Sequence, residues 1–138
     1  MLTKEHLQRL AEKRLAEAAA LLAAGHWSGA YYMAGYVAEL GLKAVVARQF
    51  VADAIPDKKL VNSIYTHDIF DLVRHAGLDR SLELESRRDP RFSIFWESVK
   101  SWREDSRYRE WSHDDAKAII EAISDEQSGI FKWIRTHW

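Results

Sequence analysis

Cysteine is absent from the 138 residues, which excludes disulfides and thiolate metal sites. Proline occurs twice and glycine six times, so no Pro- or Gly-rich linker divides the chain. No apolar run approaches the roughly 20 residues needed to span a bilayer. The opening Met1-Leu2-Thr3-Lys4-Glu5-His6 lacks the apolar core of a signal peptide. A cytoplasmic location, away from membranes, is the expectation. Formal net charge is only −1. Proteins that bind long polyanions non-specifically are usually basic on one face. Near-neutrality therefore argues against that class but leaves room for a small basic pocket.

What is present reads as one helical domain over residues 1–138. Hydrophobic residues make up 47% and charged residues 30%, a balance that builds a core rather than a disordered chain. Leu7, Leu10, Ala11, Leu15, Ala18, Leu21 and Leu22 recur at helical spacing and predict a helix over 3–24, with Thr3 as N-cap and Gly25 as its stop. Ser28 opens a second helix to about 53, apolar almost all round and so expected at the bundle centre. Residues 57–65 form either a short helix or a loop. Thr66 is placed as the cap of a helix from His67 to about Ala76.

Residues 79–89 lean towards one or two helical turns before a break at Asp89-Pro90. Pro90 suits the first turn of a helix to about 103. The stretch 104–111 has no clear period and reads as a loop. Ser112, with Asp115 at the capping-box position, begins the last helix, to about 136. Gln127 and Gly129 interrupt its apolar stripe and mark a kink or change of partner. No strand-like alternation occurs. The expected class is all-α, an antiparallel up-and-down bundle of four main helices with short additional ones.

The second helix carries the most informative pattern. Ser28, Tyr32, Tyr36, Glu39 and Lys43 are spaced by four, four, three and four residues. At the α-helical pitch they fall within roughly 80° of one another. Glu39 precedes Lys43 by one turn, the better order for an ion pair. The stripe is either a solvated face or a buried pair that orders the bundle. Alternatively it walls a polar pocket, where two tyrosines beside a charge pair suit a nucleotide or an RNA phosphate.

The run from Ala16 to Ala44 includes Leu21-Leu22-Ala23-Ala24-Gly25, Tyr36, Glu39-Leu40 and Leu42-Lys43-Ala44. It resembles the entry of the HEPN domain family. Thr66-His67-Asp68-Ile69 resembles that family's Thr-His-Asp-Leu segment. Trp102-Arg103-Glu104-Asp105-Ser106-Arg107-Tyr108 resembles its Arg-Tyr segment before the final helix. The three matches occur in order and cover roughly half the chain.

The resemblance implies an antiparallel helical bundle, commonly a homodimer. Its partner is often a nucleotidyltransferase-type antitoxin in a toxin–antitoxin pair, and its ligand RNA or a nucleotide. A catalytic subset consists of metal-independent endoribonucleases with an Arg-x(4–6)-His motif. Arg107 and His113, separated by five residues, meet that spacing. Here Tyr108 follows the arginine, a context more like the branch of less certain chemistry.

On this reading Arg107 and His113 are the candidate catalytic residues. Tyr36, Glu39, Lys43, His67 and Tyr108 line the binding groove. The alternative is a non-catalytic interaction domain for a nucleotidyltransferase or a nucleotide, with Arg107 paired to Glu39 and His113 exposed. No cofactor or metal is expected, since none of the six histidines forms a compact ligand pair. Lys58-Lys59 and Arg87-Arg88 with Arg91 read as solvated basic clusters. Trp111 and Trp138 are candidates for a partner surface.

Overall fold

In the computed structural model, which describes residues 1–138, helices hold 71% of the chain and no strand forms. The all-helical class therefore holds, but the chain is cut into shorter pieces than periodicity indicates. Helix α1 spans Lys4–Ala23 and starts where expected, with the Thr3 hydroxyl accepting the His6 N–H at 3.1 Å. Gly25 follows with φ +83°, a conformation that favours glycine.

Helix α2, Trp27–Ala47, buries Ala30, Ala34, Val37, Ala38, Leu42 and Val46. It packs against α1 along its length and against α4, α7 and α8, so it occupies the centre. It stops at Ala47, short of the expected residue 53. Arg48, Gln49 and Phe50 continue only as tight i→i−3 turns. Gln49, Phe50 and Val51 are exposed. Beyond Ala47 the side chains leave the core, although Arg48 and Gln49 still donate to the His137 and His75 carbonyls.

Helix α3, Lys58–Ser63, resolves the first ambiguous stretch as a short helix capped by Asp57. Helix α4, Ile69–His75, is capped by Asp68 rather than Thr66. Thr66 serves one step earlier, accepting the Asp68 N–H. The second ambiguous stretch is a full helix, α5, Asp79–Arg88. Pro90 opens α6, Pro90–Lys100, behind the Asp89 cap.

The expected loop at 104–111 contains a 3₁₀ turn, Glu104–Tyr108, which packs on α2. Helix α7, His113–Ser124, begins with the Ser112–Asp115 capping box. The last helix does not kink but breaks. Asp125 accepts the N–H groups of Gln127 and Ser128, and α8 restarts as Ile130–Arg135. A Cβ at Gly129 would lie 2.3 Å from the Asp125 carbonyl oxygen, so this turn needs glycine. One contiguous buried core links α1, α2 and α4 to α8, and Leu60 of α3 packs against it. No helix is long and apolar enough to cross a membrane.

The two tryptophans expected at a partner surface are half-buried. Trp111 stacks on Tyr31 with ring centres 3.7 Å apart and donates Nε1–H to the Ser106 carbonyl. Trp138 donates to the Gly41 carbonyl. Both are tied to their own chain.

Candidate functional site

Helix α2 passes under the segment 102–108, and that crossing gathers most of the candidate residues. Close approach depends on Gly35. Trp102, fully buried, lies on it so tightly that a Cβ would fall 2.0 Å from the ring. Tyr36 and Tyr32 flank the indole, with ring centres 5.1 and 6.3 Å away. The two tyrosine hydroxyls share a 2.9 Å hydrogen bond. Burial, then that bond, pushes the Tyr36 hydroxyl well above its usual range, so it stays neutral.

One turn further along α2, Glu39 is buried, with only 3% of its side chain exposed. Its Oε1 accepts from Lys43 Nζ at 2.9 Å and also meets His67 Nδ1 at 2.9 Å. Its Oε2 has no hydrogen-bond partner, nor do Trp102 Nε1 and Ser106 Oγ nearby. The Glu39–Lys43 stripe is thus a buried pair rather than a solvated face. Lys43 is itself 13% exposed.

His67 carries the contact outward. Its Nε2 lies 3.3 Å from Glu104 Oε2, and Glu104 Oε1 accepts from Arg107 Nη1 at 3.2 Å. Arg107 also donates to the Tyr108 hydroxyl at 3.0 Å, and its guanidinium sits 4.8 Å from the Tyr108 ring centre. The Tyr108 hydroxyl, then that of Tyr32, raise the Arg107 pKa further. Beside this chain Arg103 binds Asp68. Burial pushes the Asp68 carboxyl up, but the Asp71 N–H and Arg103 outweigh it and hold it below the usual range.

Tyr36, Glu39, Lys43, His67, Arg107 and Tyr108 therefore form one connected surface, buried at the Glu39 end and open at Tyr108, which is 76% exposed. Arg107 does not pair with Glu39; Glu104 takes that place. His113 stands apart. It contacts Asp114 at 3.2 Å and the edge of Trp27 at 5.7 Å, and no contact joins it to Arg107. Arg87, Arg88 and Arg91 are satisfied by Glu83, Glu85 and Asp125.

The linking residue that sequence reasoning missed is Glu104. Its pairing with Arg107 three residues on depends on the 3₁₀ turn, which the sequence reads as a loop. The reach of Glu104 back to His67 depends on the tertiary crossing. No protein-family model matches this chain, and neither a curated protein nor a solved structure matches it.

Proposed function

We propose that this chain is a HEPN-type helical bundle that binds RNA or a nucleotide through Arg107 and Tyr108. The observation that carries the reading is the exposed guanidinium held over an exposed tyrosine ring at the end of an anchored polar chain. Tyr108 offers a face for a base to stack on. Arg107 spends N–H donors on Glu104 and Tyr108 and keeps others for a phosphate. Glu39, Lys43, His67 and Tyr36 support this pair from below. The small basic area, rather than a basic face, fits a short contact instead of a long polyanion track. In the toxin–antitoxin setting that the resemblance implies, a nucleotidyltransferase-type antitoxin is the proposed partner.

A second reading adds cleavage. The RNA 2′-hydroxyl attacks the adjacent phosphorus, the P–O5′ bond breaks, and a 2′,3′-cyclic phosphate remains. His113, exposed and engaged only by Asp114 and the Trp27 edge, has a ring nitrogen free to move the proton. Arg107 stabilises the charge on the phosphate oxygens. Because the two residues share no contact within one chain, this chemistry requires a homodimer that brings His113 of one copy to Arg107 of the other.

Fluorescence anisotropy with a labelled single-stranded oligoribonucleotide tests binding. Arg107→Ala and Tyr108→Ala are each expected to weaken it about tenfold, the value of one stacked base or phosphate contact. Unchanged affinity in both variants overturns the proposal. The same samples, incubated with EDTA and run on a denaturing gel, test cleavage. Cutting abolished by Arg107→Ala and by His113→Ala supports it. Full activity in His113→Ala removes the second reading, and binding without cutting leaves the interaction-domain reading alone.

A further inference from the structure

We infer that Glu104 is an internal stand-in for a ligand phosphate, so that the free chain occupies its own anion site. The inference rests on the binding reading above and specifies how that site is regulated. A single carboxylate lies between an imidazole and a guanidinium carried by different parts of the fold. Glu104 Oε2 faces His67 Nε2 at 3.3 Å, and Oε1 faces Arg107 Nη1 at 3.2 Å. A phosphate presents a pair of oxygens to the same kinds of donor, and arginine grips both anions with the same planar fork.

The donors are fixed independently of Glu104. The other ring nitrogen of His67 is held at 2.9 Å by buried Glu39, which Lys43 anchors in turn. Arg107 is held by the Tyr108 hydroxyl and stacked on its ring. Both groups therefore keep a second contact when Glu104 is removed.

Glu104 is also the exchangeable member. Its side chain is 34% exposed, and those of His67 and Arg107 are 43% and 42% exposed. Exposed pairs of this kind are individually weak. The neighbouring Asp68–Arg103 pair differs, because Asp68 caps α4 by accepting the Asp71 N–H. Glu104 makes no such bond to the backbone, so a ligand phosphate can displace it without unwinding a helix.

The ligand class is a phosphate group of a ribonucleotide, as a monoester in a free nucleotide or a diester in a strand. Binding is measured for adenosine monophosphate by calorimetry and for a labelled single-stranded RNA by anisotropy. The wild type, Glu104→Gln, Arg107→Ala and the double variant are compared. Glutamine keeps the size and an oxygen acceptor for Arg107 while removing the competing charge.

Glu104→Gln is expected to tighten binding about tenfold, and the gain vanishes in the double variant. Tightening for one probe alone supports the inference and identifies the monoester or the diester as the ligand. Glu126→Gln, in the exposed α7–α8 turn, controls for overall charge and is expected to change affinity less than about twofold. Equal tightening there overturns the inference. So does unchanged or weaker binding in Glu104→Gln while Arg107→Ala still weakens the wild type; the binding reading then survives. No binding by any of these proteins removes that reading too.

Discussion

Replacing Gly35 with alanine is expected to destabilise the chain by about 3 kcal/mol, although alanine is the better helix former by about 1 kcal/mol. The added methyl carbon would lie 2.0 Å from two atoms of the Trp102 ring and 2.3 Å from a third. That ring is fully buried and wedged against Tyr36 and Tyr32, so it has no low-cost way to yield. Overpacking of this kind forces the indole outward and carries the 3₁₀ turn Glu104–Tyr108 with it. Urea unfolding measures the effect as a lower midpoint at an unchanged slope. The same variant is expected to lose ligand affinity, because Glu104 and Arg107 ride on the displaced segment. A midpoint equal to that of the wild type would show that Trp102 is free to move.

Glu39→Ala is expected to cost about 3 kcal/mol, the lower end of the range for stranding a buried cation. Lys43, 13% exposed, would lose its only ion-pair partner, and His67 would lose the contact that sets its ring. Lys43→Ala is expected to cost less, since His67 still faces Glu39. Replacing both by apolar residues of similar size, Glu39→Leu with Lys43→Met, is expected to recover most of the loss, because the desolvation penalty disappears with both charges. Glu39→Ala with Lys43→Ala, set beside the two single alanine variants, completes the double-mutant cycle that isolates the pair. A single-variant cost below about 0.5 kcal/mol would mean that Glu39 behaves as a surface group.

Periodicity made the helical class and the central position of α2 legible, because its small and apolar residues leave no polar face wide enough for solvent. Thr3, Asp115 and Pro90 announced their helix starts by local chemistry alone. Helix ends were harder. Arg48 to Asp53 contain no glycine or proline, yet the helix stops where its side chains leave the core, which no local signal records. At the other end of the chain Gly129 marked the interruption, but whether it bends or breaks the helix depends on Asp125 turning its carboxylate onto the following N–H groups.

The site divides in the same way. The Glu39–Lys43 pair follows from one helix's geometry and was readable from spacing. The bridge from His67 through Glu104 to Arg107 joins three parts of the chain and needs the crossing of the 3₁₀ turn over Gly35. Spacing also paired Arg107 with His113. The capping box at Ser112 starts a new helix between them and turns His113 towards Trp27.

The proposed ligand site is Arg107 with Tyr108, supported by His67 and Glu104. Its most direct test is a titration of the isotope-labelled protein with adenosine monophosphate, followed by nuclear magnetic resonance. Saturable shifts are expected, confined to the Arg107 side chain, the Tyr108 ring, the His67 ring and the backbone of 104–108, with the midpoint raised about tenfold in Arg107→Ala. Saturable shifts centred elsewhere, for example around Trp27 and Glu110, would contradict it, as would none with saturating nucleotide together with none with a saturating single-stranded RNA.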